Sequence, residues 1–328
     1  YQAINNPVNY GGLELKNRII FAPTTFGLSD EEYFEKIRKI AAGGCAMIIV
    51  GDVPVGKSTF EKSLFDKKGF AYYQKLARIV HQENCCICAQ LHQSDSNMLA
   101  MLKYVPGVLS KKITMQQLRT LLNNEVSPYI TKMSQHKIHK IIRGFGEAAV
   151  LAVKAGFDMV QVHGDRICGS FSSVIFNHRT DKYGGDFFNR MRFATEIIVG
   201  IRFACGADFP ISVRMDGTDF WDDGMDEKEC QHIARYLESI GVASLNISSG
   251  SYESGWSIIE PYTFKEGWKK HLAKGIKESV HIPVIAVNTV KHPAFAEQLL
   301  EEGVSDFVGI GRGNLCDPEF ANKAKRGD

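Results

Sequence analysis

The sequence contains no run approaching the ~18 uninterrupted apolar residues that a membrane-spanning helix requires, and its N-terminus lacks a charged-then-apolar signal pattern. A charge of one sign is also missing. The 39 Lys and Arg residues against 37 Asp and Glu leave a formal net charge of +2, too little to argue for nucleic acid or a membrane surface as partner. No linker, low-complexity tract or repeat divides the 328 residues, so one domain spanning 1–328 is expected. A chain of this length buries a large core without staples. Metal-site spacing is absent too. The eight cysteines are scattered, and although Cys85 and Cys88 form a C-x-x-C, no second pair stands at zinc spacing. That pair lies in the apolar segment Cys85–Leu91, so the thiols read as small buried groups in a reducing cytosol. The expected location is cytoplasmic.

What the sequence does have is alternation. Short β-branched runs at Arg18–Ala22, Ala46–Val50, Cys86–Leu91, Asp158–His163, Ile211–Met215, Ser244–Ser248, Val284–Val287 and Asp306–Ile310 read as strands. Most are nearly continuous in Val, Ile and Leu, as strands covered on both faces are. Helical periodicity falls between them, over Ile138–Ala155, Asn189–Phe203, Glu227–Ile240 and Pro293–Glu302, with Gly or Pro at several of the ends. Eight strands alternating with helices suit a closed barrel or a doubly wound sheet. No G-x-G-x-x-G opens a helix after the first strand, which favours a single-domain (β/α)₈ TIM barrel. The stretch Gln93–Gln135 carries Pro106, Gly107 and Pro128, and reads as a long irregular segment, a lid on the catalytic face.

In such a barrel the chemistry sits at strand C-terminal ends. Those positions supply Pro23-Thr24-Thr25, Gly51-Asp52, Gln90 and His92, His163-Gly164-Asp165-Arg166, Arg214, Ser248-Ser249-Gly250, Asn288-Thr289 and Gly311-Arg312-Gly313. They lack the paired carboxylates of a glycosidase and offer no three clear metal ligands. The last two groups follow strands seven and eight, where barrels often bind phosphate, and Arg312 between two glycines suits that task.

These residues resemble a known family over nearly the whole chain. Leu15-Lys16-Asn17-Arg18-Ile19-Ile20-Phe21-Ala22-Pro23, Val162-His163-Gly164, Asn177-His178-Arg179-Thr180-Asp181-Lys182-Tyr183-Gly184-Gly185, Asn189-Arg190-Met191-Arg192-Phe193, Ile282-Pro283-Val284-Ile285-Ala286-Val287 and Gly311-Arg312 before Cys316-Asp317-Pro318 look like blocks of Old Yellow Enzyme-type NADH:flavin oxidoreductases and 2-enoate reductases. The resemblance implies FMN over the barrel mouth. Pro23, Thr24 and Thr25 then contact the flavin ring, with Thr25 where the family tunes redox potential. Gln90 bonds the pyrimidine edge and Arg214 places charge near it. Gly311 and Arg312 bind the phosphate, with Asn288 and Thr289 nearby. The implied reaction is ping-pong: NADH or NADPH reduces the flavin, and an alkene conjugated to a carbonyl or carboxylate then takes hydride at its β-carbon and a proton at its α-carbon. The partner is a small unsaturated molecule, with neither nucleic acid nor membrane involved; the oligomeric state stays open, a homo-oligomer included.

The departures matter as much. The family's clamp is usually a His, then His or Asn three residues later, then Tyr two further on; here His163 is followed by Arg166 and Cys168. The usual proton donor is therefore missing, and Cys168 or solvent replaces it. Arg166, always charged and able to grip a carboxylate in two places, points to a substrate with a carboxylate beside its double bond, unless it pairs with Asp165. Gln93 occupies the place of a frequent His, while His92 should face the other side of its strand. Asn288 stands where a Gly is expected. Larger relatives continue into an iron–sulfur cluster and a second nucleotide-binding domain, so the chain either takes electrons directly from NAD(P)H or is one part of a longer protein with an electron-transfer domain. The rival readings are an oxidative amine or methyl-ether dehydrogenase, a flavin-binding barrel without ene-reductase activity, and a flavin-free barrel.

Overall fold

A computed structural model describes residues 1–95, 102–250, 260–287 and 289–328. Its strands are β1 (Val8–Tyr10), β2 (Leu13–Leu15), β3 (Ile19–Phe21), β4 (Met47–Pro54), β5 (Cys86–His92), β6 (Met159–His163), β7 (Ile211–Asp216), β8 (Ser244–Ser248), β9 (Val284–Ala286) and β10 (Phe307–Ile310). Strands β3 to β10 pair in parallel and close, β10 lying beside β3, while β1 and β2 form a separate antiparallel hairpin. All eight expected strands are therefore present, and they make the (β/α)₈ barrel. Every residue of β3, β6 and β8 is buried, as expected when side chains fill the lumen on one face and helices cover the other.

The helices that return the chain are set by local chemistry. The helix Asp30–Ala42 opens on a Ser29–Glu32 capping box, and Phe187–Cys205 opens on Asp186, whose carboxylate accepts from Asn189 N at 2.9 Å. Gln135–Ala155 ends at Gly156, whose φ of 100° is the left-handed cap that stops a helix. Among the described residues no helix is long and apolar enough to cross a membrane.

The β1–β2 hairpin closes the barrel floor. It turns through Gly11 and Gly12 at φ of 59° and 92°, and its Tyr10 ring meets Phe307 edge-on at 4.8 Å. The sequence reading missed it, because three-residue strands carry too little alternation to register. From the Tyr10 hydroxyl a buried polar chain climbs the lumen: Tyr10 to Ser244, Ser212 to the Ser244 carbonyl, Gln161 to Ser212 at 3.2 Å, and Gln90 to Gln161 at 2.8 Å. That chain orients Gln90 at the mouth. Its members satisfy one another, as buried polar groups must.

The segment after β5 differs from the expectation. Residues Val105–Leu109 and Met115–Thr131 are helices, the second opened by a Thr114–Gln117 capping box. The second helix contains Pro128, and the Ile130, Thr131 and Met133 carbonyls at and just past its end accept from Arg179. Residues 96–101 of the segment lie outside the described residues.

Candidate active site

A cavity of about 870 Å³ opens at the C-terminal ends of the strands. That is the size of a pocket for a cofactor with a small substrate. Pro23, Thr24 and Thr25 line one side, Gln90 its base, His163, Arg166 and Arg214 a second side, and Gly311 with Arg312 the far end. The structure thus gathers nine of the sequence-derived residues around one space. Asn288 lies outside the described residues, and Cys168 is not brought to the cavity.

Each wall has a local cause. In β4 the register slips between Val50 and Val53, and Asp52 takes a left-handed φ of 51°. This bulge takes Asp52 out of the ladder and turns it to the mouth. Its Oδ1 stands 3.8 Å from both His92 Nδ1 and His163 Nε2. The His92 ring is 5.4 Å from that of His163, although His92 itself does not line the cavity. One ligand-type atom from each of Asp52, His92 and His163 lies within 4.8 Å of the others, a grouping that reading strand ends one at a time did not show. Burial pushes the His92 imidazole down to about 4, with Asp52 opposing and His163 and Arg166 adding to the shift. His92 is therefore neutral near pH 7.

After β6 the chain makes a single wide turn, Gly164–Cys168, in which Arg166 adopts φ −119°, ψ −125°. Gly164 is required there: a Cβ would lie 2.3 Å from the Arg214 carbonyl oxygen. The close approach lets Asp165 fold back, so that its Oδ1 meets His163 Nδ1 and its Oδ2 accepts from Arg214 Nε at 3.2 Å. Burial alone would raise the Asp165 carboxyl, but the charges of His163 and Arg214 outweigh it and hold it well below the usual carboxylate range. Arg214 also donates to Asn246 Oδ1 at 3.3 Å and Ser248 Oγ at 2.9 Å. Cys168 ends the turn facing a small apolar void of about 40 Å³ behind it, and burial pushes its thiol up to about 12. The wide turn leaves Arg166 on the cavity wall, as expected, but carries Cys168 away from it, so the thiol is not placed as the substitute proton donor.

Three of the wall residues that were not singled out from the sequence bear on the chemistry. Lys269 and Glu260, both buried, pair at 3.3 Å, and Lys269 also donates to Ser249 Oγ at 3.0 Å. Glu260 accepts from Thr289 Oγ1, and its carbonyl accepts from Arg312 at 2.6 Å. No periodic signal marks these two loop positions. The third, Asp216, stands two residues beyond Arg214 on β7, and strand alternation alone would have placed it on the same side.

The residues fit FMN. A flavin with a phosphate tail needs an open slot, polar groups along one edge and cations at the tail. The cavity supplies the Gln90 amide and the Arg214 guanidinium on one side, and Arg312 among glycines at the other end. Asn246 Nδ2, beside Arg214, is buried without a hydrogen-bond partner, an unfilled donor under the same wall. The loop after β10 runs close to the loop after β3, since a Cβ at Gly311 would lie 2.9 Å from Thr24 Oγ1.

Residues 3–328 match the family model described as "NADH:flavin oxidoreductase / NADH oxidase family". The chain is 44% identical over 331 residues to the bilirubin reductase of Clostridium symbiosum, covering 98% of this chain and 89% of that protein. It is 38% identical over 335 residues to the NADH oxidase of Thermoanaerobacter brockii, covering 97% of this chain and 50% of the other. Among solved structures, a 2-naphthoyl-CoA reductase complex superimposes with a TM-score of 0.83 at 23% identity, over 100% of this chain and 52% of that one. The chain thus spans most of the first relative and about half the length of the other two.

Proposed function

The chain belongs to the NADH:flavin oxidoreductase / NADH oxidase family and is an FMN-dependent oxidoreductase driven by NADH or NADPH; from that premise we propose that it reduces a carbon–carbon double bond conjugated to a carbonyl in an acidic substrate. The observation that carries the proposal is Arg166, placed by the wide turn on the cavity wall beside His163. A guanidinium there suits a carboxylate held in two places. Bilirubin meets the chemical requirement, as a conjugated tetrapyrrole with lactam carbonyls and propionate carboxylates, and the likeness to a bilirubin reductase makes it the first substrate to try.

FMN, when bound, would supply the hydride-transfer chemistry between nicotinamide and substrate. The protein does the remainder. Arg166 binds the carboxylate and so fixes which double bond meets the hydride. His163, held by Asp165 on Nδ1 and facing Asp52 through Nε2, presents a donor to the carbonyl oxygen and stabilises charge that gathers there. Asp165 fixes that ring and, through Arg214, ties β6 to β7. Gln90, Arg214, Pro23, Thr24 and Thr25 would hold the flavin ring, and Gly311 and Arg312 would hold its phosphate.

Anaerobic assay of NAD(P)H oxidation with bilirubin, simple enoates and simple enones tests the proposal. Oxidation that depends on the unsaturated acid supports it. Turnover with amines or methyl ethers as reductants, and none with any alkene, would replace it by an oxidative dehydrogenase.

A further inference from the structure

The tyrosine that the family resemblance led one to expect is absent, and Cys168 in its place faces the void behind the turn. A proton must still reach the substrate. We infer that Asp216 is the acid that delivers it to the α-carbon, a step that rests on the alkene-reducing function proposed above.

Asp216 is the last residue of β7 and, unlike Cys168, which borders only the small void behind the turn, it borders both that void and the cavity, on the same side as Arg214. Its side chain is more than nine-tenths buried, at 9% exposure, and its Oδ1 has no hydrogen-bond partner. Donors that would hold a carboxylate anion are thus missing at that atom, and such a buried charge is costly. The guanidinium two residues away is engaged with Asp165, Asn246 and Ser248. The charged and titratable groups that face Asp216 come from several elements: Asp165 and Arg166 on the turn after β6, Arg214 on β7, Asp219 in the loop that follows, Cys230 on the helix Glu227–Ser239, and Lys269 before the helix Lys270–Ser279. Burial is the largest influence, the negative charges of Asp165 and Asp219 act in the same direction, and Arg214 and Arg166 oppose them less. Together they hold the Asp216 carboxyl well above the usual range. A carboxyl on the cavity wall whose surroundings favour its acid form, and whose buried Oδ1 no donor holds, is equipped as a proton donor.

The balance closes without another reagent. Hydride brings its electron pair to the β-carbon, and the π pair of the double bond moves onto the α-carbon and takes the Asp216 proton. The O–H pair stays on Asp216 as carboxylate, and water restores the proton. Net, the alkene, NAD(P)H and one proton give the saturated product and NAD(P)⁺.

The experiment uses the FMN-loaded enzyme and two variants, Asp216→Asn and Asp216→Glu, with FMN content checked in each. Infrared difference spectra come first. The wild type is expected to show the carbonyl band of a protonated carboxylic acid above pH 7, absent from Asp216→Asn. Stopped-flow then compares the two half-reactions. Reoxidation by alkene should slow roughly 100-fold or more in Asp216→Asn, in keeping with the usual contribution of a general acid, while flavin reduction by NAD(P)H slows far less. Asp216→Glu should recover part of the rate. Wild-type reoxidation should also fall at alkaline pH, and that limb should be missing from Asp216→Asn. Equal reoxidation rates and pH profiles in wild type and Asp216→Asn would overturn the inference alone, as would an ionised Asp216 at pH 7. A wild type whose flavin no alkene reoxidises would sink the functional reading itself, and this step with it, whatever the infrared band shows.

Discussion

Replacing Arg166 by Gln removes a charge while keeping a planar, hydrogen-bonding side chain of similar reach. Arg166 is half-buried on the cavity wall, so its bond to a substrate carboxylate forms partly shielded from water. Hydrogen bonds between charged groups in such settings contribute about 1.5–3 kcal/mol, and each 1.36 kcal/mol is tenfold in rate. The kcat/KM for an unsaturated acid should therefore fall roughly 10- to 100-fold. The methyl ester of the same acid keeps the double bond and carbonyl but loses the charge, so the change for the ester should stay within about threefold. Anaerobic steady-state kinetics on both compounds, with flavin content matched, make the comparison. If acid and ester lose activity equally, Arg166 supports the turn and does not read the substrate. Should neither lose any, the carboxylate is bound elsewhere and the reasoning from Arg166 is refuted.

Gly164→Ala drives a Cβ against the Arg214 carbonyl; thermal unfolding should show a loss of about 1–3 kcal/mol, and displacement of His163 should cost roughly 100-fold in alkene reduction. Cys168→Ala should leave the pH profile of alkene reduction unchanged, because the thiol faces the void behind the turn; a lost alkaline limb would restore Cys168 as proton donor. Arg312→Gln should weaken FMN binding by about 1.5 kcal/mol, roughly tenfold and at the low end for a charged bond because the side chain is exposed, while riboflavin binding, measured by fluorescence quenching, should change little. Arg179 donates to Asp181 and holds that carboxyl down to about 2. Since the folded value is depressed, this contribution is complete above the ordinary value near 4 and is lost as pH falls toward 2. Asp181→Asn should flatten the dependence of the melting temperature on pH in that window.

Much of the molecule was legible in the sequence because its strands are nearly continuous apolar runs. Each of the eight runs from Arg18–Ala22 to Asp306–Ile310 contains its observed strand's core, and helices such as Phe187–Cys205 exceed the expected span only at their ends. The cavity was legible for a related reason: a barrel projects the residues at its strand ends into one mouth. What escaped depends on geometry that no periodicity encodes. The β4 bulge turns Asp52 toward His163, and the wide turn Gly164–Cys168 sends Arg166 to the cavity and Cys168 away from it. Lys269 and Glu260 meet inside the single long connection after β8, which carries no periodicity. Asp216 is the instructive omission, since alternation from Arg214 was enough to place it.

Anaerobic stopped-flow on the FMN-loaded protein tests the central claim most directly. The flavin is reduced with one equivalent of NADH or NADPH and then mixed with bilirubin or a simple enoate. Reoxidation is expected at a rate that rises with the concentration of the acid, with one double bond lost per flavin. Reduced flavin that persists with every unsaturated acid and carbonyl offered would contradict it.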